Sequence, residues 1–317
     1  MTLRLQVDRA AWLAHIERTA AAHPGLVPVV KGNGYGFGIP LLCAHALGLS
    51  DRIAVGSVFE ARHVPPTHDV HVLTPIGPGI PASDVPDNAV LTVGSTWHVQ
   101  VLADAGWRGR VAMKLRSSMQ RYGAVPRDVD RLRSAAVDAG LEPVAWSLHL
   151  PLDGDEAARA DEARAWIART DGDLPLYVSH LSADSAAALR RDHPRREIRT
   201  RLGTGLWLGD KSMLHLAADV LDVHRGATGR AGYRLSDVPD GSTIVLAGAG
   251  TSHGAFPDGD GRSPFHFARR RLPLIEPPHM HTSMLVVADG GPCPEPGDLL
   301  DAQLPLTRSH PDVVEWS

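Results

Sequence analysis

Over the first two-thirds of the chain, short apolar runs alternate with stretches of helical spacing. The runs are nearly continuous, as expected of parallel strands buried on both faces. They predict strands over Val27–Lys31, Ala54–Ser57, Val70–Thr74, Val90–Val93, Arg110–Leu115, Pro143–Leu150, Pro175–His180 and Ile198–Leu202. Helical patterns lie between them, among others Thr96–Ala105, Pro126–Gly140, Asp155–Thr170 and Asp184–Arg191. Pro126 and Gly140 sit where helix ends favour proline and glycine. The repeated β-α units predict an α/β fold, a (β/α)8 TIM-type barrel. A doubly wound open sheet is the alternative, because spacing alone does not show closure.

After about residue 222 the pattern changes. The stretch 226–232 (Gly-Ala-Thr-Gly-Arg-Ala-Gly) reads as a linker. Short strands follow over Ser242–Ala247, Leu285–Ala288 and Leu299–Leu304, which predict a smaller, mostly β C-terminal domain. The expected domains are therefore 1–225, the barrel, and 226–317, the β domain, with residues 1–10 able to pair with the latter. Residues 254–274 read as a long surface loop whose Arg269–Arg271 form a solvated face.

Composition narrows the reading without redirecting it. The chain has 317 residues and a net charge of −4, which favours neither a nucleic-acid nor a membrane partner. No apolar stretch is long enough to span a bilayer, and the N-terminus lacks the form of a signal peptide. Cys43 and Cys293 stand far apart without metal-type spacing, which fits a reducing cytoplasm and no metal site.

Candidate chemistry gathers at the strand ends, where barrel enzymes carry their sites. Lys31 ends the first run and enters a glycine-rich loop, Gly-Asn-Gly-Tyr-Gly-Phe-Gly. A partly desolvated lysine has a lowered pKa and serves as a Schiff-base nucleophile, whereas a solvated strand-end lysine does not. Lys114, Arg121, His149, His180 and Arg201 fall at or near the ends of later strands, an arrangement suited to an anionic ligand. The loops after strands seven and eight hold Ser185 and Gly203-Thr204-Gly205, where a phosphate is commonly bound. A lysine combined with a phosphate cradle implies pyridoxal 5′-phosphate (PLP).

Val-Val-Lys31-Gly-Asn-Gly-Tyr-Gly-Phe-Gly closely resembles the PLP-lysine motif of alanine racemases, barrel-type PLP enzymes with a C-terminal β domain. The resemblance continues through Lys114-Leu-Arg-Ser-Ser-Met-Gln-Arg121-Tyr-Gly, Ser147-Leu-His149, His180…Asp184-Ser185-Ala-Ala and Arg201-Leu-Gly203-Thr-Gly-Leu. It implies that Lys31 forms the Schiff base and acts as one acid/base group. It implies that Tyr35, Ser185, Gly203 and Thr204 hold the phosphate, that Arg201 faces the pyridine nitrogen supported by His180, and that Arg121 and His149 line the cofactor. Lys114 matches a lysine often carbamylated in the family. The family is usually dimeric, with each site completed by the partner's β domain, so a homodimer is expected. Arginine has no acceptor lone pair, so a ring nitrogen facing it stays unprotonated, which favours proton removal and return over elimination.

The substrate half departs from the family. Racemisation needs a proton group on each face of the α-carbon. The family's tyrosine, in Gly-Tyr-Ala-Asp-Gly, is matched here by Gly250-Thr251-Ser252-His253-Gly254. His253 is the expected replacement, since the ordinary imidazole pKa of about 6.5 suits acid/base work. His281, Ser283 and Met284 fall where the family lines its substrate pocket. The resulting expectation is an amino-acid racemase, with alanine the default substrate. The alternatives are a PLP-dependent lyase, dehydratase or aldolase acting on a D-amino acid, with a metal held by His279 and His281, or a non-catalytic PLP-binding protein.

Overall fold

The computed structural model describes residues 3–170 and 172–317. Its chain divides into two compact units. One comprises the N-terminal residues up to His15, Asn33–Gly38 and Leu208–Ser317; the other comprises Ile16–Gly32 and Ile39–Trp207.

The chain opens with β1 (Leu3–Val7), which belongs to the first unit, and α1 (Arg9–Ala22), which enters the second. The second unit then runs β2 (Leu26–Pro28), α2 (Ile39–Ala46), β3 (Arg52–Val55), α3 (Val58–Ala61), β4 (Asp69–Val72), β5 (Ala89–Val93) and α4 (Thr96–Asp104). It continues with β6 (Arg110–Leu115), α5 (Val129–Asp138), β7 (Glu142–His149), α6 (Glu156–Ile167), β8 (Leu176–Ser179), α7 (Ala183–Asp192), β9 (Ile198–Leu202) and α8 (Thr204–Trp207). Its strands form one parallel sheet in the order β2-β9-β8-β7-β6-β5-β4-β3. A parallel bridge from Val29 to Ala54, with the Val30 N–H donating to the Ala54 carbonyl at 2.7 Å, brings the two edge strands together into a nearly closed barrel. The open-sheet alternative is thereby excluded.

Side chains that meet across non-neighbouring strands identify the barrel interior. Tyr177 on β8 packs against His71 on β4, with ring centroids 5.3 Å apart. Arg201 on β9 reaches Ser147 on β7, passing over β8. Helix starts are fixed by side-chain caps. Ser95 accepts from the His98 N–H, Asp155 from the Ala157 N–H and Ser182 from the Ser185 N–H.

The first unit is mostly β. It contains β10 (Leu214–Ala231), β11 (Ser236–Ala247), β12 (Phe265–Phe267), β13 (Arg270–Arg271), β14 (Ser283–Val287), β15 (Leu299–Ala302) and β16 (Val313–Trp316). β1 pairs antiparallel with β10 and parallel with β16. Arg4 ties these strands, donating to Asp219 at 2.7 Å and pairing with Glu315. Trp12, Phe37 and Trp316 stack together, with centroids 5.0 Å apart for Trp12–Phe37 and 5.3 Å for Trp12–Trp316, and this cluster fixes the Asn33–Gly38 loop in the β unit.

One expectation is corrected here. The stretch 226–232 is not a linker: residues up to Ala231 continue β10, paired with β11 through register shifts at its glycine-containing end. The last division between the compact units along the chain falls at Trp207/Leu208. The expected loop 254–274 also contains a small hairpin, β12–β13, turned by Ala268 and Arg269, both at positive φ. Among the described residues, no helix is long and apolar enough to cross a membrane.

Candidate active site

The C-terminal strand ends of the barrel bring together Lys31, Lys114, Arg121, His149, His180 and Arg201. β2 ends at Pro28, and Lys31 follows in the connecting segment. Glu60, at the third position of α3, holds that segment: its carboxylate accepts from the N–H groups of Gly32 (3.0 Å), Gly56 (2.6 Å) and Ser57 (3.1 Å). Gly56 leaves room for Lys31, because a Cβ there would lie 3.2 Å from the Lys31 Cβ and 2.9 Å from Glu60 Oε2. Lys31 keeps open surface, yet the protein atoms packed along it desolvate the ammonium. That burial lowers its pKa, Arg121 and Arg201 push the same way, and Glu60 opposes them.

Lys114 lies on β6 and is 4% exposed. Burial, then Arg201, Arg121 and Lys31, hold its pKa well below the ordinary lysine value. Arg201 is 2% exposed, and its guanidinium donates to Ser147 Oγ at 2.5 Å and to the Leu148 carbonyl at 2.6 Å. Burial lowers it to about 10, so it remains a cation at neutral pH. Arg121 stacks over the Tyr122 ring, 5.0 Å from its centroid, and Tyr122 is anchored by its hydroxyl to the Leu73 carbonyl. The turn that carries both depends on Gly123, at φ +143°, where a Cβ would come within 2.6 Å of the Arg116 nitrogen.

The two histidines at the mouth are held neutral. His149 shares a 2.6 Å hydrogen bond between Nδ1 and Ser179 Oγ. Burial, then Arg201 and Lys114, depress its pKa to about 2. His180 takes φ +62°, which ends β8 one residue earlier than the apolar run predicts. Its ring packs on His149 with centroids 4.7 Å apart. The expected support of Arg201 by His180 is replaced by Ser147 and Leu148, which take the guanidinium hydrogen bonds.

Of the expected phosphate positions, the β9–α8 loop is open and the α7 start is not. A Cβ at Gly205 would meet nothing within 4 Å, and the Leu206 and Trp207 N–H groups both turn back to the Gly203 carbonyl. Beside Ser185, whose N–H donates to Ser182 Oγ at 3.1 Å, the Glu156 carboxylate accepts from the Ser182 N–H at 2.8 Å and pairs with Arg159 at 2.6 Å. A carboxylate thus stands at the start of α7, near where the sequence reading places a phosphate oxygen. Sequence reasoning missed Glu156, because it reaches the start of α7 from a different helix, α6. Tyr35 is buried in the β unit at φ +54°.

In the β unit, Gly250 is required by close approach: a Cβ there would lie 2.2 Å from the His279 carbonyl oxygen. The Thr251 and Ser252 N–H groups donate to the carbonyls of His279 and Met280, at 2.8 and 2.9 Å. Within this turn His253 is 6% exposed. Its Nδ1 accepts from the Gly250 N–H at 3.0 Å, so its proton is on Nε2, which faces Asp312 Oδ2 at 3.1 Å. Both ring nitrogens of His253, the expected second base, are thus engaged in the turn. Ser283 is fully buried, its hydroxyl donating to the Ala249 carbonyl at 2.7 Å, so it is a core residue and not a pocket residue. Met284, on β14, is half-buried, and His281 is exposed. His279 is bound through Nε2 to Glu276 at 2.5 Å. Among the described residues, no group of three or more His, Cys, Asp or Glu is placed to hold a metal ion.

A nearly closed parallel barrel with a cation-lined mouth, joined in sequence to a mostly β unit, defines a recognisable class of protein. Residues 7–210 match the family described as alanine racemase, N-terminal domain, and the chain belongs to that family. Similar solved structures include alanine racemase from Bartonella henselae with covalently bound pyridoxal phosphate, at 15% identity and TM-score 0.74, covering 100% of both chains. Others are alanine racemase from D-cycloserine producing Streptomyces lavendulae (16%, TM-score 0.73, 100% of this chain and 97% of that one) and from E. faecalis (18%, TM-score 0.71, 99% and 98%). At these identities the likeness shows the fold. No curated protein matches.

Proposed function

We propose that this protein is a PLP-dependent amino-acid racemase of the alanine-racemase type, acting as a homodimer whose sites are completed by the partner's β domain. The observation that carries the reading is the crowd of basic side chains at the barrel mouth. Lys31, Lys114, Arg121 and Arg201 depress one another's or their neighbours' pKa values, with Glu60 the carboxylate that opposes them at Lys31. Folding alone does not favour such an arrangement, whereas an anionic ligand does. The residues present therefore fit a dianionic phosphate and a phenolate, and the Bartonella henselae relative carries pyridoxal phosphate covalently.

Lys31 would hold the cofactor, its lowered pKa supplying the free amine that covalent attachment needs. Gly203 and Thr204 would receive the phosphate, Arg121 would face the phenolate oxygen and His149 would line the ring. Bound PLP acidifies the substrate's α-proton. Arg201 is a hydrogen-bond donor with no lone pair to offer, so it would keep a ring nitrogen placed against it unprotonated and would weaken the ring as an electron sink. Lys31 Nζ holds or returns the α-proton on one face. The neutral amine favoured at Lys114 is the form that reacts with carbon dioxide, and a carbamate there would pair with Arg121 and Arg201.

A non-catalytic PLP-binding protein is the second reading, favoured by the sealed His253. The test is incubation of the PLP-loaded protein with single L- or D-amino acids in heavy water, following α-deuteration and chirality together. Exchange with inversion is the expected result. Release of pyruvate and ammonia moves the assignment to a lyase, and the absence of exchange leaves a binding protein.

A further inference from the structure

We infer that Glu60 is the positioning residue of the Lys31 amine. Its carboxylate ties the backbone beside Lys31 to the start of α3, and it is the counter-charge that lets a released Lys31 keep the proton it takes. This role rests on the reading of Lys31 above as the cofactor lysine and a proton group. Every residue involved belongs to the barrel unit.

A carboxylate at the third position of a helix has an ordinary duty, to accept the N–H of the residue before the helix. Glu60 Oε2 does this for Ser57 at 3.1 Å and accepts the Gly56 N–H as well, at 2.6 Å. Oε1 has no part in that cap. It accepts from the N–H of Gly32 at 3.0 Å, 28 residues back along the chain and next to Lys31. On the other side of Lys31, the Val30 N–H donates to the Ala54 carbonyl at 2.7 Å. Both neighbours of Lys31 are therefore held by the β3–α3 segment, although the regular pairing of β2 ends at Pro28. That segment is itself fixed to the chain after β4. The Val55 and Gly56 carbonyls accept from the N–H groups of Leu73 and Thr74, at 2.9 and 3.0 Å.

Gly56 is where the two side chains meet. A Cβ there would lie 3.2 Å from the Lys31 Cβ and 2.9 Å from Glu60 Oε2, and its absence leaves that space to them. The other charged groups around Lys31 are basic: Arg121 from the β6–α5 connection, Arg201 from β9 and Lys114 from β6. Cys43, on α2, lies near Glu60 and stays a neutral thiol, its pKa pushed up to about 11 by burial and by that carboxylate.

The amine lone pair of Lys31 takes the α-proton, and the electrons of the broken C–H bond stay with the substrate. The resulting ammonium stands in desolvated surroundings beside two arginines, where Glu60 is the carboxylate that offsets them. Return of the proton reverses the step. Glu60 exchanges no proton at any point.

The test needs no turnover. Trace acetylation of the PLP-free full-length protein by acetic anhydride across pH, read by mass spectrometry at the Lys31 peptide, titrates the amine, which keeps open surface for the reagent. Glu60→Gln is expected to lower the Lys31 pKa by about 1, a tenfold shift from ammonium to amine at a given pH. Glu60→Asp, which keeps the charge, is expected to hold it nearer the wild-type value. Ser57→Ala puts a poorer residue at the same helix start and is expected to lower the urea midpoint without moving the titration. A Lys31 titration unmoved by Glu60→Gln, or moved equally by Ser57→Ala, reduces Glu60 to a helix cap and overturns the inference. In that case a borohydride-fixed pyridoxyl label on Lys31 of the PLP-loaded wild type leaves the racemase reading standing. A wild type whose Lys31 takes no such label overturns both.

Discussion

Two regions of the molecule treat their charged groups in opposite ways. In the β unit around β1 and the 250–281 turns they are paired off: Arg4 with Asp219 and Glu315, His253 with Asp312, His279 with Glu276. In the barrel, Lys31, Lys114, Arg121 and Arg201 crowd one mouth, and Glu60, bound to three backbone N–H groups, is the carboxylate set against them. Paired charges satisfy the fold by themselves. A cluster of one sign costs stability and is retained where a ligand of the other sign is to be bound. The contrast separates a chemical site from scaffold more sharply than histidine content does, since both units contain several buried histidines or ion-paired imidazoles.

The most severe break of this contrast is Lys31→Ala. We expect loss of the borohydride-fixed pyridoxyl label from the Lys31 peptide, read by mass spectrometry, and a fall in racemisation of at least about 10²–10⁴-fold. A labelled protein lacking Lys31 would place the cofactor on another amine and remove the barrel mouth from its role.

His253→Ala probes the other side of the comparison. Truncating the imidazole leaves the buried Gly250 N–H without its partner, while Asp312 keeps the Leu3 N–H and water, at a cost of about 1–3 kcal/mol in unfolding free energy. Inversion per folded molecule is expected to persist. Loss of inversion in a protein of unchanged stability would return the base role to His253.

Lys114→Met is expected to act with opposite signs on the two forms of the protein. Replacing a nearly buried amine with an apolar chain of similar length relieves a desolvated group and is expected to stabilise the PLP-free protein by about 1–3 kcal/mol. The same change is expected to weaken PLP binding. A destabilised PLP-free variant would mean that Lys114 is already satisfied within the fold, and the account of the mouth as a site built for an anion would fail.

What was legible in the sequence divides along the same line. Parallel strands buried on both faces leave continuous apolar runs, so β6 and β9 were bounded to the residue and the other barrel strands to within a few. The first run was read too far because the regular pairing of β2 with β9 stops at Pro28, and only the Val29–Ala54 bridge continues it. The end of β10, from Gly226 on, reads as a linker because it is largely exposed and glycine-containing, with no apolar alternation to mark it. Lys31 and Arg201 were legible through a local motif and a strand position. The surroundings of His253 and Ser185 were not legible, because Asp312 beside the first and Glu156 at the start of α7 come from distant parts of the chain. Residue type and local spacing reveal which atoms are capable of chemistry. They do not reveal which of those atoms the fold has already used.

Glu156 offers the smallest effect and the finest test of that last point. Burial works against its charge, yet the Ser182 N–H, the Ser185 hydroxyl, Arg159 and the Ser182 hydroxyl together bring its pKa down from 4.5 to about 2. A carboxylate depressed on folding stabilises the protein fully above its unfolded pKa, and that stability is lost as pH falls from about 4.5 through about 2. With 34% of its side chain exposed, solvent screening reduces the contribution to about 1 kcal/mol. Glu156→Gln keeps an oxygen for the Ser182 N–H but removes the charge. Urea midpoints measured against pH are expected to fall less steeply in this variant below pH 4.5, with little change at pH 7 beyond that 1 kcal/mol. If the variant also binds PLP more tightly, the carboxylate at the start of α7 competes with the cofactor phosphate, and the α7 start belongs to the site. Unchanged affinity leaves the phosphate to the β9–α8 loop, where Gly205 keeps open space.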